Sequence, residues 1–152
     1  MTKLENQLHA LDQAIQKGDL QKVSVSKSGT YWHIGHALKV IISIIGVMEA
    51  SVPDQFVKKN SFMWLLIQWF GVIPRGKGRS PKRVLPPEQL DRALLEQMLK
   101  EAREAVAILP SLPPDKYFRH PAFGDMRKKK AIKFIGIHSH HHIKIINEII
   151  EK

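Results

Sequence analysis

The sequence predicts an all-α protein: a four-helix bundle with one short extra helix between the second and third long helices. Three observations carry this. Apolar residues recur at three- and four-residue spacing in four separate stretches, the period that lines one face of an α-helix. No stretch alternates apolar and polar residues in the manner of a strand. The links between the stretches carry the prolines and most of the glycines, which forbid regular structure. At 152 residues, 43% of them hydrophobic, the chain is read as a single domain over 1–152 with a core of its own.

The first helix is expected over about 2–17, where Leu4, Leu8, Leu11 and Ile15 share a face. Lys17-Gly18 is a stop signal: a cation near the negative helix end, then a residue free to leave the helix. Residues 19–29 read as a polar loop, with Ser28 or Thr30 able to cap the next helix. That second helix, 30–50, is apolar over a wide arc and is expected to be the most buried. Pro53 ends it.

Asn60-Ser61 then caps a nearly all-apolar segment, Phe62 to Phe70, read as a short helix that plugs the core. The functional alternative is a wall or lid over a pocket. Residues 71–88 are irregular, and their basic side chains Arg75, Lys77 and Arg79 are candidate anion contacts. The third long helix is expected over 88–109, with Pro87 at its first position and Leu90, Leu94, Leu95, Met98, Ala102 and Ala105 inward. Pro110 stops it. Residues 110–124 form a second irregular link, and Asp125 is placed to cap the last helix.

That last helix holds four of the chain's eight histidines, in the run Gly136 to Ile143. The run lies inside an apolar period that continues from Ala131 to Ile150. On a helical wheel His138 and His142 fall in the arc of Ala131, Phe134, Ile135, Ile145 and Ile149. His140 falls on the far side with Lys133, Lys144 and Asn147, and His141 at the edge. Imidazoles at i and i+4 on one face can reach one divalent ion. The bland alternative is a pair of hydrogen-bonded core histidines. A third ligand must come from elsewhere, and His33 and His36, near the buried side of the second helix, are both candidates.

The chain has no cysteine, which removes disulfides, thiolate nucleophiles and Cys-ligated zinc, and fits a reducing cytosol. Met1 to Lys17 reads as an amphipathic helix rather than a secretion signal. The longest apolar stretch, Ala37 to Val47, is interrupted by Lys39 and Ser43 and is too short to cross a bilayer. A cytoplasmic protein without a membrane partner is therefore expected. The net charge of +10 raises nucleic acid as a partner. The basic clusters, Arg75 to Arg83 and Arg127 to Lys130, lack interleaved aromatics, so a solvated basic surface is preferred.

Four motifs together resemble the DinB/YfiT-like superfamily of helical-bundle metalloproteins. They are Y-W-H-I-G-H-A-L (Tyr31 to Leu38), I-P-R-G-K-G-R-S-P-K (Ile73 to Lys82), H-P-A-F-G (His120 to Gly124) and I-H-S-H-H-H-I (Ile137 to Ile143). The resemblance implies a four-helix bundle holding one divalent transition metal ion (zinc, nickel or iron) on three histidines. It carries the last-helix pair onto His138 and His142, and the second-helix ligand, in a W-x-x-x-H setting, onto His36, with His33 as the alternative. His141 becomes a residue behind the ligands. The resemblance further implies a metal-dependent hydrolase or thiol transferase acting on a small substrate, and a homodimer; the basic loop Arg75 to Arg83 suggests that this substrate is anionic. A non-catalytic metal-binding or stress-response module is the alternative, and a nucleic-acid binder a third.

Overall fold

The computed structural model describes residues 2–75 and 81–151; Lys77 and Arg79 lie outside these. Among the described residues the protein is mostly helical, with five α-helices and one small antiparallel hairpin. The helices are α1 (Lys3–Gln16), α2 (Thr30–Ala50), α3 (Phe62–Phe70), α4 (Arg92–Ile108) and α5 (Lys128–Ile150). The strands are β1 (Tyr117–His120) and β2 (Gly124–Arg127).

α2 is the hub. It packs along both α4 and α5, while α1 packs on α4 and α5 and more lightly on α2. Ile34, Ala37, Leu38, Ile41, Ile45 and Met48 of α2 are fully buried. Of these helices α2 alone among the described residues has the length and hydropathy of a membrane span, and 61% of its apolar window is buried inside the protein. At 21 residues it is longer than the apolar stretch expected from sequence.

Local chemistry sets the helix ends. Thr2 and Glu5 form a reciprocal capping box on α1, and Lys17 and Gly18 close it, Gly18 with φ of 85°. The N-terminus of α2 departs from expectation. Its N-cap is Gly29, without a side-chain cap. The carboxylate of Asp19 accepts from Tyr31 N–H instead, and Thr30 Oγ1 donates to the Gly18 carbonyl. A Cβ at Gly29 would come within 2.6 Å of that carboxylate, so a side chain there would exclude the substitute cap.

α4 starts at Arg92 rather than near residue 88, because Asp91 accepts from Leu94 N–H and fixes the start four residues later. The link before α5 is not irregular. Tyr117 pairs with Arg127 and His120 with Gly124, leaving Pro121, Ala122 and Phe123 as the turn. Gly124 takes φ of 78°, and His120 Nδ1 accepts from the N–H groups of Ala122 and Phe123. Asp125 is accordingly a strand residue and not a helix cap. Its buried carboxylate is held by Arg119 and by Val57 N–H, and Arg127 is the N-cap of α5. Two of the four cations at this helix start have partners: Arg127 lies 4.0 Å over the Phe56 ring, and Lys128 donates to the Leu112 carbonyl.

α3 does not plug the core. Only Trp64 and Ile67 are buried, and most of its other apolar side chains face outward. A segment apolar all round gives no sign of which face docks, and nine residues can present only a narrow one to the rest of the protein.

Candidate metal centre

His36, His138 and His142 converge where the first turns of α2 meet the middle of α5. One ring nitrogen from each lies within 4.8 Å of the others. Ring centroids are 5.1 Å apart for His36 and His138, 4.8 Å for His36 and His142, and 4.6 Å for His138 and His142. His36 and His142 are buried, and His138 is half-buried with its Nδ1 wholly out of solvent. His140 is exposed and His141 half-buried, edge-on to His142 at 5.1 Å. The helical period thus sorts the four histidines of α5 by face.

His36 Nδ1 lies 2.8 Å from the Val84 carbonyl oxygen. A carbonyl can only accept, so the proton sits on Nδ1 and the imidazole lone pair on Nε2. Val84 is delivered by a single 3-10 turn, residues 82–84, packed on α2. Gly35 lets this link approach, since a Cβ there would sit 3.1 Å from Pro86 and 3.2 Å from Leu90. Trp32 stacks on His36 at 5.1 Å and 19°, covering one ring face.

His33 falls outside the trio and stands behind it. Its Nδ1 is 3.0 Å from His142 Nδ1, and its Nε2 is 2.9 Å from Ser26 Oγ. Ser26 Oγ also accepts from Ser28 N–H. If His33 carries its proton on Nε2 and donates to Ser26, then His142 donates from Nδ1 and keeps its lone pair on Nε2. The opposite tautomers put the His142 lone pair on Nδ1, against His33. Only the first arrangement readies His142 as a ligand through Nε2.

The electrostatics favour neutral rings throughout. Burial, then the charges of His36, His141 and Arg75, lower His33 to about 4. Burial lowers His36, against a smaller upward pull from the Val84 hydrogen bond. Burial, then neighbouring imidazoles, hold His138 and His142 well below the usual range. His141 is lowered by burial and then by Arg75. Neutral imidazoles keep the lone pairs a metal needs, whereas a cluster of imidazoliums would repel itself.

The donor set fits a borderline metal: three imidazoles, one with a main-chain acceptor behind it and one with another imidazole. The buried Nδ1 of His138 has no hydrogen-bond partner among the described residues.

Arg75 pairs with Glu148 of α5 through two hydrogen bonds of 2.9 and 2.8 Å. It lies near enough to act on His33 and His141, but its guanidinium is engaged by a carboxylate. Glu49 of α2 is exposed at the other end of that helix. Thirteen residues of helix put it about 20 Å from His36, too far to take part.

Sequence reasoning missed Val84, Ser26 and the place of His120. Ser26 and Val84 carry no signal, because each reaches the site through the fold. His120 was visible as the first residue of H-P-A-F-G. It is stacked on Phe123 at 4.2 Å, and burial, then Arg83, lower it to about 4. Its hydrogen bonds secure the hairpin turn.

Comparison with known protein families, with characterised proteins and with solved structures finds no match to this chain.

Proposed function

We propose that this chain is a four-helix-bundle metalloprotein of the DinB/YfiT-like kind, holding one divalent transition metal ion on His36, His138 and His142. The observation that carries the reading is the meeting of three imidazoles from two helices far apart in the sequence, with one nitrogen of each within 4.8 Å of the others. An ion held by all three would draw their nitrogens closer together. Three protein ligands leave a coordination position open, the pattern of catalytic rather than structural sites.

The proposed activity is hydrolysis or thiol transfer on a small anionic substrate. A divalent ion in this place supplies Lewis acidity and eases deprotonation of a water or thiol nucleophile. The chain's own residues do the rest. Val84 and His33 orient His36 and His142, Trp32 shields the trio, and Arg75 would meet an anion by exchanging Glu148 for it. A non-catalytic metal-binding role is the second reading. It is favoured by the contacts of His138 and His142 among the described residues, which are with imidazoles, an indole and a phenyl ring.

Elemental analysis of untagged protein tests the centre. The expected result is about one ion per chain, lost in His36→Ala and in His138→Ala and kept in His140→Ala. Equal loss in His140→Ala would mean that the run binds metal as a flexible tag does. Protein that stays metal-free after reconstitution would sink the proposal.

A further inference from the structure

α3 has two apolar faces, and the core takes only one. Trp64 and Ile67 point inward, at 5% and 4% exposure. Phe62, Met63, Leu65, Leu66, Trp69 and Phe70 point outward, with Trp69 86%, Phe62 74% and Phe70 70% exposed. At 100° per residue these six fill one continuous arc of about 160°. Exposed Val72 extends the apolar surface past the helix end. Scattered exposed apolar side chains are ordinary, but a contiguous aromatic face marks a contact surface.

Charge identifies the partner. Between Asp54 and Glu88 the sequence holds seven basic residues and no acidic one. The structure places two of these at the start of α3 and one on the hairpin that α3 touches. Lys58 and Lys59 lead into the helix and are exposed, and Lys59 lies on the hairpin turn at Gly124. Exposed Arg83 lies 5.7 Å over Phe118 of the same hairpin. α3 packs on that hairpin through Trp64, 5.9 Å from Phe123. Two carboxylates near these elements are already matched: Asp125 is buried against Arg119, and Glu148 is paired with Arg75.

An aromatic face in a cationic surround suits a partner that is anionic at its surface and apolar beneath. A second copy of this chain would set like charges against one another. We propose that α3 and its flanking cations dock the protein on an anionic lipid bilayer, with Phe62, Leu66, Trp69 and Phe70 entering the boundary between headgroups and acyl chains. Tryptophan favours that boundary, and lysine and arginine are drawn to anionic headgroups. The contact is peripheral, because a nine-residue helix is about 14 Å long and cannot span. It is independent of the metal centre.

The test is co-sedimentation of the full chain with vesicles of phosphatidylcholine alone, or of phosphatidylcholine mixed with phosphatidylserine. At least about tenfold more protein should bind the anionic vesicles, with binding weakened by salt. Phe62→Ser/Trp69→Ser and Lys58→Glu/Lys59→Glu should each cut binding about tenfold. Both should keep the wild-type circular dichroism spectrum, since the altered side chains are exposed, and His142→Ala should bind as the wild type does. Absence of binding to anionic vesicles, equal binding to neutral ones, or binding that survives Phe62→Ser/Trp69→Ser would overturn the proposal. So would a dimer that becomes a monomer in Phe62→Ser/Trp69→Ser, which would make a second copy the occupant of this face.

Discussion

The histidine end of α2 and α5 buries polar rings, while the outward face of α3 exposes apolar ones. Both depart from ordinary partition, and they differ in how the departure is compensated. At three of the histidines, partners within the fold offset the cost: the Val84 carbonyl for His36, His33 for His142 and Ser26 for His33, while the buried Nδ1 of His138 has none among the described residues. On α3 the described structure provides no such cover for the outer arc. Buried polar groups with internal partners point to a preformed site, whereas exposed apolar groups in a cationic surround point to a partner outside the chain.

Two tryptophans of α3 give the sharpest contrast. Trp64→Ala, which removes a buried ring packed near Phe123 and Phe134, should destabilise the fold by about 3–5 kcal/mol in urea denaturation. A loss below about 1 kcal/mol would mean that α3 is not docked. At the histidines, zinc at a thousandfold excess over its Kd should add about 4 kcal/mol to unfolding stability, and none to His142→Ala. Differential scanning calorimetry reads both.

Acid should attack the same end. His33 and His120, near 4 when folded and about 6.5 when unfolded, take up protons more readily in the unfolded chain. Stability of the metal-free protein is therefore whole above about pH 6.5 and lost as pH falls towards 4, by up to about 3 kcal/mol for each group. A flat urea midpoint between pH 7 and 4.5 would contradict this. His33→Ala removes only the support behind His142, so zinc affinity should fall about 10–100-fold without a change of stoichiometry; isothermal titration separates the two. The smallest effect belongs to Trp69→Ala, within about 0.5 kcal/mol of wild type, since the ring is exposed.

The long helices were legible because their apolar period is strong; their starts were less so, since Gly29, Asp91 and Arg127 rather than the expected residues precede α2, α4 and α5. Leu4, Leu8, Leu11 and Ile15 are all buried, as their spacing requires. The sorting of His138 and His142 from His140 was legible for the same reason, since a wheel needs only the helix. The hairpin was not. Its strands are four residues each, and its turn, H-P-A-F-G, reads as a helix breaker. Asp125 looked like a cap because caps and strand-end carboxylates use the same residue, and Arg119 across the hairpin and Val57 N–H decide between them. The orientation of α3 was hidden by its uniformity, as was the partner of His36, since Val84 is 48 residues away.

The stacking of Trp32 on His36 has an optical consequence. An indole 5.1 Å from a candidate ligand ring would be a built-in reporter of a bound ion. Copper(II) or nickel(II) bound by these histidines would quench its fluorescence by electron or energy transfer, whereas zinc, with a filled d shell, would only shift it. Titration of unlabelled protein would then give occupancy and a first classification of the metal from one emission band.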